Sequence, residues 1–141
     1  MTPEQIELVQ RAWGRVTALN NTYVQEVYTE LFRLSPDLIN LFPDPAGMPV
    51  TKVSETLNTV ITSLEQLDAL GFIIRDLGRR HRQFNVQSHQ FGLLKQALTL
   101  VLARRLGEHF TPVLSDAWSQ MYDEIAALML EGLSQPTESV A

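Results

Sequence analysis

Residues Leu77 to Val86 read LGRRHRQFNV, in which one histidine stands among three arginines. Upstream of it, from about Asp68, apolar residues recur at helical spacing, and the pattern runs to His81 before a break at Asn85 to Ser88. A helix that ends at His81 presents one imidazole from a rigid element. The stretch therefore predicts an amphipathic helix followed by a turn, with a histidine where the two meet.

The same helical periodicity continues over nearly the whole chain. A loop with three prolines and one glycine (residues 42–49, FPDPAGMP) interrupts it, and a long helix from about His89 to Leu106 ends at Gly107. The other helices start at Thr2-Pro3, at Asn20 or Asn21, at Ser35-Pro36-Asp37 and at Thr111-Pro112. Because no run of five residues shows strand alternation, we predict an all-α fold with seven or eight helices of mixed length, packed at steep angles.

The composition bounds the fold to one domain and removes several classes of site. The chain has 141 residues, 45% of them hydrophobic, and no cysteine, which excludes disulfides, cysteine zinc sites, iron–sulfur clusters and thiol nucleophiles. Its net charge of −5 disfavours nucleic-acid binding. No secretory signal and no apolar run of about 20 residues is visible, so we expect a cytoplasmic protein without membrane contact. Residues 1–133 are expected to form the domain and residues 134–141 a frayed tail.

Three side chains carry the candidate chemistry. His81 is either an ordinary helix-end histidine or a metal ligand, and zinc is disfavoured because no second histidine lies four residues away. A single imidazole is typical of the axial ligand of a haem, whose porphyrin supplies four further bonds. Tyr28 is either a core tyrosine or a donor aimed into an apolar pocket, and Phe42 is by default a core residue. The arginines near His81 form either a solvated face or, with Lys52, a site for haem propionates: Arg75, Arg79, Arg80 and Arg82.

Motifs of common enzymes are not found in the sequence. It has no Gly-rich phosphate loop, no nucleophile elbow and no set of Ser, His and Asp. An ordinary hydrolase or transferase is therefore not expected.

Four features stand in a fixed order along the chain: Trp13, LFRLSPDLINLF (residues 31–42), LGRRHRQFNV (77–86) and LGEHFTPVLSDAWSQMY (106–122). With them, about Glu4 to Gly132 resembles the globins, in particular bacterial single-domain globins and the haem domains of flavohaemoglobins, and is also similar to animal neuroglobin. The resemblance implies a globin fold around a pocket for haem b (iron protoporphyrin). It implies His81 as the iron ligand, Phe42 as the phenylalanine that wedges the haem, and Tyr28 as the distal tyrosine.

Further positions follow from the same resemblance. Pro49 falls where the family has its distal His or Gln, Lys52 where a basic residue meets a propionate, and Val53 where an aliphatic side chain crowds the ligand. The remaining haem contacts implied by the resemblance are Leu77, Val86, Phe91 and Leu94.

Two departures from the family pattern bear on the chemistry. Pro49 can neither ligate iron nor donate a hydrogen bond, so a bis-histidine resting state is not expected; a one-residue slip would place Met48 there instead. In flavohaemoglobins a Tyr and a Glu polarise the proximal histidine. Here Gln90 and Leu133 stand at those positions, so we expect that polarisation to be missing.

The resemblance implies reversible binding of O2, and of CO and NO, for delivery, storage or sensing. An alternative is a nitric oxide dioxygenase that depends on an external reductase, since the sequence shows no reductase domain. A second alternative is a haem-free interaction module with a globin-like fold. We expect a monomer or a weak dimer.

Overall fold

The computed structural model describes residues 1–18, 20–42, 49–84 and 86–134. Its helices are α1 (Pro3–Thr17), α2 (Thr22–Leu34), a 3₁₀ helix (Pro36–Leu41), α3 (Val50–Thr62), α4 (Leu67–Arg80), α5 (Ser88–Leu106) and α6 (Pro112–Ser134). Shorter 3₁₀ turns lie at Leu64–Gln66, His81–Phe84 and Gly107–His109. Seven principal helices and no strand in these ranges confirm the predicted all-α class.

Local side-chain chemistry sets several of the helix ends. The Thr2 hydroxyl accepts from the Gln5 amide at 3.1 Å while the Gln5 side chain accepts from the Thr2 amide at 2.8 Å, which is a complete capping box. At the end of α5, Gly107 takes φ +56°, a conformation that glycine adopts without strain. The start of α2 is different. Asn21 caps it without a side-chain hydrogen bond, and Asn20 Oδ1 accepts from the Thr22 amide at 3.0 Å.

The predicted third helix is of the 3₁₀ type. It is six residues long, it begins with Pro36, and the Ser35 side chain makes no capping hydrogen bond. Hydrogen bonds flanking it span three residues, from the Leu38 amide to the Ser35 carbonyl and from the Phe42 amide to the Ile39 carbonyl. Short segments tolerate this tighter geometry, which brings Phe42 back against α2.

The hydrophobic core lies among α1, α2, α3, α5 and α6. At its centre the buried indoles of Trp13 and Trp118 stack with centroids 6.1 Å apart, and the Tyr23 ring meets Trp13 edge-on at 5.1 Å. The Trp13 indole N–H donates to Asn58 on α3 at 3.2 Å. These contacts hold α1, α2 and α3 together without any contribution from α4.

Helix α4 stands apart from this core. Its buried residues are Gly71, Ile74 and Gly78, and no residue of α4 belongs to the contiguous hydrophobic cluster of the described chain. It packs along α6 instead. The two backbones come so close that a Cβ on Gly78 would overlap the Met129 carbonyl and a Cβ on Gly132 would overlap the Arg75 carbonyl.

Charged side chains join α2 to α5. The buried Glu30 carboxylate accepts from Arg33 at 2.8 Å and from Arg104 of α5 at 3.0 Å. Hydrogen bonds from Arg104 and then Arg33 lower the pKa of Glu30. Arg105 adds an ion pair to Glu26 at 2.6 Å. These contacts fix α2, the helix that carries Tyr28, against the long α5.

Two sequence predictions lie at the edges of the described chain. Helix α6 includes Ser134, the first residue of the predicted tail, whereas residues 135–141 lie outside the described residues, so the boundary at 133 stays a prediction. In the described ranges no helix is long and apolar enough to cross a bilayer.

Candidate functional site

His81 follows directly on α4, as the sequence predicts. Its Nδ1 lies 2.7 Å from the carbonyl oxygen of Leu77, one turn earlier. Because a carbonyl oxygen can only accept, Nδ1 is the donor, and in the neutral imidazole Nε2 keeps its lone pair. Nε2 has no hydrogen-bond partner in the described chain. The ring is therefore held in one tautomer, with the nitrogen that can bind a metal unengaged.

Tyr28 lies on α2 within an aromatic cluster. Its ring meets Phe42 edge-on at 5.2 Å and stacks on Phe32 at 6.0 Å, and Phe32 and Phe42 are 5.6 Å apart. The residue is 8% exposed, and burial raises the pKa of its hydroxyl. Tyr28 is therefore a neutral O–H donor in apolar surroundings.

The three tyrosines of the chain differ in how their hydroxyls are satisfied. Tyr23 shares a hydrogen bond of 3.1 Å with Ser54, and Tyr122 donates to the Phe91 carbonyl at 2.6 Å. The Tyr28 hydroxyl makes no hydrogen bond to any part of the described chain. It is not among the fully buried unpartnered polar atoms of the described chain, so it is accessible and can donate to a group that the chain itself does not supply.

The predicted residues of α3 lie at its first turn. Pro49 precedes the helix and is exposed, Lys52 is exposed and makes no ion pair in the described chain, and Val53 is half-buried against the core. Met48, the alternative to Pro49, lies outside the described residues.

The remaining predicted contacts lie on α4, on α5 and between these two helices. Phe91 is buried outside the contiguous core cluster, Leu94 is half-buried against that cluster, and Val86 is half-buried after the turn. Leu77 is also half-buried. Its described contribution is the main-chain carbonyl that orients His81.

The four arginines near His81 already have partners in the protein. Arg75 pairs with Glu131 at 2.5 Å, and Asp76 pairs with both Arg79 and Arg80. The Arg82 guanidinium donates from Nε to the Leu133 carbonyl at 2.8 Å and from Nη2 to the Gly132 carbonyl at 3.2 Å. These contacts engage all four arginines within the protein, so they lend no support to the propionate site that the sequence left open.

Polarisation of His81 by a carboxylate has no support in the geometry. The Gln90 side chain caps α5 by accepting from the Gln87 amide at 2.8 Å, and Leu133 offers its carbonyl to Arg82. The partner of His81 Nδ1 is a neutral carbonyl, which raises the basicity of an imidazole less than a carboxylate does.

Sequence reasoning missed two contributors to this site. The orienting carbonyl of Leu77 is a main-chain group, and its only sequence signal is the spacing of four residues before His81. Phe32 completes the aromatic cluster around Tyr28, and its signal is the same spacing on α2.

The arrangement fits a haem on three counts. Nε2 of His81 is unengaged, the Tyr28 hydroxyl lacks a protein partner in the described chain, and α4 shares no residue with the contiguous core. A haem between α4 and that core would offer iron to Nε2, a gas ligand on that iron to the Tyr28 hydroxyl, and an apolar ring to the side chains of α4.

A comparison with protein families decides the membership. Residues 25–129 match the family model described as Globin. The chain belongs to the globin family. The globin matches the neuroglobin of Tetraodon nigroviridis with 28% identity over 96% of its own length and 94% of the relative's. It matches neuroglobin-1 of Oncorhynchus mykiss with 26% identity over 98% and 96% of the two chains.

Membership in this family confirms the predicted globin fold. The protein is therefore a haem-binding globin that contains iron and binds oxygen. Small gas ligands such as O2 are the ligands of this family. The bacterial placement inferred from the sequence stays a prediction.

Proposed function

We propose that this globin holds haem b through Nε2 of His81 and binds O2 reversibly with the Tyr28 hydroxyl as hydrogen-bond donor. The observation that carries the proposal is the hydrogen bond of 2.7 Å from His81 Nδ1 to the Leu77 carbonyl. It fixes the tautomer and the orientation that an axial ligand needs. CO and NO as further ligands and a cytoplasmic location belong to the same proposal.

The haem, when bound, supplies an iron centre that coordinates diatomic gases. The chain contributes apolar side chains to its enclosure, among them Phe42, which packs edge-on against Tyr28, and the buried Phe91. Other apolar side chains complete it: Val53, Leu77, Val86 and Leu94. Lys52 is the basic residue available to a propionate, because it is exposed and carries no ion pair in the described chain.

Tyr28 supplies the polar contact to the gas ligand. Its O–H is neutral because burial raises its pKa, and it has no competing acceptor in the described chain. A hydrogen bond to a ligand that takes on negative character contributes about 1.5–3 kcal/mol. Pro49 offers no second donor at the predicted distal position, so the polar stabilisation rests on one hydroxyl.

Replacement of the histidine tests the proposal directly. We expect His81→Ala to lose haem on purification, or to retain it only when free imidazole fills the vacated space, because no other group in the described chain presents an unengaged imidazole beside the apolar enclosure. Haem content and the absorbance spectrum of the ferrous CO form measure the outcome. The matched controls are His89→Ala and His109→Ala, whose side chains are exposed on the first turn of α5 and before α6. Unchanged haem content and spectrum in His81→Ala would contradict the assignment.

A further inference from the structure

The outer face of α4 carries an exposed apolar pair. Phe72 is 71% exposed and its neighbour Ile73 is 52% exposed. In the described chain the other large exposed apolar side chains, Ile39, Leu100 and Val113, lie on three separate helices. Scattered single apolar residues are ordinary on a protein surface, whereas a pair on one helix face forms a patch.

Charged residues flank this pair, with opposite signs at its two ends. Glu65, on the 3₁₀ turn that precedes α4, and Asp68 lie before it, and Arg79 and Arg80 lie after it, all four exposed. Helical spacing places Asp68 and Arg79 on the same side of α4 as Phe72. The Asp76 carboxylate serves both arginines, so the basic end keeps a positive charge.

Within α4, charges of opposite sign lie on the two sides of the midpoint of the apolar pair. Asp68 lies four positions before Phe72, and Arg79 lies six positions after Ile73. At 1.5 Å per residue these two charges are about 7 Å and about 10 Å from the midpoint along the helix axis. A rotation of 180° about that midpoint therefore brings the acidic end of one copy opposite the basic end of the other.

We propose that α4 is a self-association surface on which a second copy of this globin docks antiparallel, with Phe72 and Ile73 of both copies at the centre. The charge pattern selects this occupant. A partner with a uniformly acidic or uniformly basic surface meets a like charge at one end of α4, whereas the two-fold copy meets opposite charges at both.

Helix α6 supports α4 from behind, and this makes the surface rigid. Gly78 and Gly132 let the α4 backbone pack directly against α6, so few residues have to become ordered when two copies associate. One helix face is narrow and lies at the low end of interface sizes, below about 1,200 Å² in total. The dimer is therefore weak and forms at protein concentrations of about 100 µM and above.

Sedimentation equilibrium of the haem-loaded full chain tests the association. We expect a concentration-dependent monomer–dimer equilibrium that weakens with salt, and at least about tenfold weaker association in Phe72→Ser, because the apolar centre is lost. Val113→Ser is the matched control: Val113 is 68% exposed on α6, away from the α4 face, and its replacement should leave the equilibrium unchanged. A chain that stays monomeric up to about 1 mM, or equal effects of the two variants, would overturn the proposal.

Two charge-reversal variants test the antiparallel geometry. The double variant Arg79→Glu, Arg80→Glu has an acidic α4 face throughout, and Glu65→Lys, Asp68→Lys has a basic one. We expect each alone to associate at least about tenfold more weakly than the parent, and an equimolar mixture to form a heterodimer tighter than the parent dimer. A mixture that remains monomeric would overturn the antiparallel arrangement. Circular dichroism and haem absorbance matching the parent show that each variant is folded and loaded, so this outcome is independent of the roles of His81 and Tyr28.

Discussion

At the scale of single residues, the Tyr28 hydroxyl differs from the other two tyrosine hydroxyls because it has no hydrogen-bond partner in the described chain. It is not among the fully buried unpartnered polar atoms of the described chain, so it can still meet water. Tyr28 thus lacks the stabilising hydrogen bond that Tyr23 makes with Ser54. A donor with no partner in the described chain is open to an external ligand.

Replacement of Tyr28 by Phe should separate the two roles of this residue. The ring and its contacts with Phe32 and Phe42 are kept, so the free energy of unfolding should stay the same or rise slightly. O2 dissociation, measured by stopped-flow, should accelerate about tenfold or more, since 1.4 kcal/mol corresponds to a factor of ten. CO dissociation should respond much less, because CO takes up less negative charge at its outer atom.

Tyr23→Phe is the matched control for that experiment. It removes a hydrogen bond to Ser54 inside the core and should cost about 1 kcal/mol of stability while O2 dissociation stays that of the parent. If Tyr28→Phe releases O2 at the parent rate, Tyr28 is a packing residue and another group holds the ligand.

Features of individual helices could be predicted from the sequence when the groups that determine them are close together in the chain. The start of α1 at Thr2-Pro3 and the end of α5 at Gly107 depend on local groups and were predicted at their residues. The position of His81 at the end of α4 followed from local periodicity in the same way. The 3₁₀ geometry after Ser35 was not predicted, because a proline start and a short apolar pattern fit both helix types.

Long-range contacts could not be predicted from the sequence. The pairing of Arg75 with Glu131 and the donation from Arg82 to the Leu133 carbonyl join residues more than 50 positions apart. Both depend on the close approach of α4 and α6, which requires glycine at 78 and 132. The periodicity of one helix does not indicate which residues of another helix will pack against it.

The α4–α6 contact predicts opposite effects for two glycine substitutions. Gly132→Ala should lower the free energy of unfolding by at least about 2 kcal/mol, because its Cβ meets the Arg75 carbonyl and the backbones must separate. Gly14→Ala should raise the free energy of unfolding by about 0.5–1 kcal/mol through helix propensity. Gly14 lies at an exposed position of α1, and no atom lies near the added Cβ. Chemical denaturation of both variants measures the difference. A Gly132→Ala protein as stable as the parent would show that α4 and α6 can separate freely.

At the scale of the whole molecule, the protein consists of a self-supporting cluster of helices and one helix outside it. The aromatic centre of Trp13, Tyr23 and Trp118 joins α1, α2 and α6 without α4. Helix α4 has 14 residues, and Ile74 is its one buried apolar side chain in addition to two glycines. Burial of apolar side chains therefore stabilises α4 less than it stabilises the helices of the cluster.

That imbalance predicts where the molecule changes when haem is removed. The half-buried apolar residues of α4, such as Leu70 and Leu77, lose their apolar neighbour, while the aromatic centre keeps all of its contacts. Hydrogen exchange followed by mass spectrometry should therefore show amides of α4 exchanging at least about tenfold faster in the apoprotein, with much smaller changes in α1 and α5. Haem at 100 times its dissociation constant should raise the stability by about 2.7 kcal/mol, and the thermal midpoint with it. Equal acceleration in all helices would mean that α4 belongs to one cooperative unit with the core. Unchanged protection of α4 would mean that its contact with α6 is sufficient without haem.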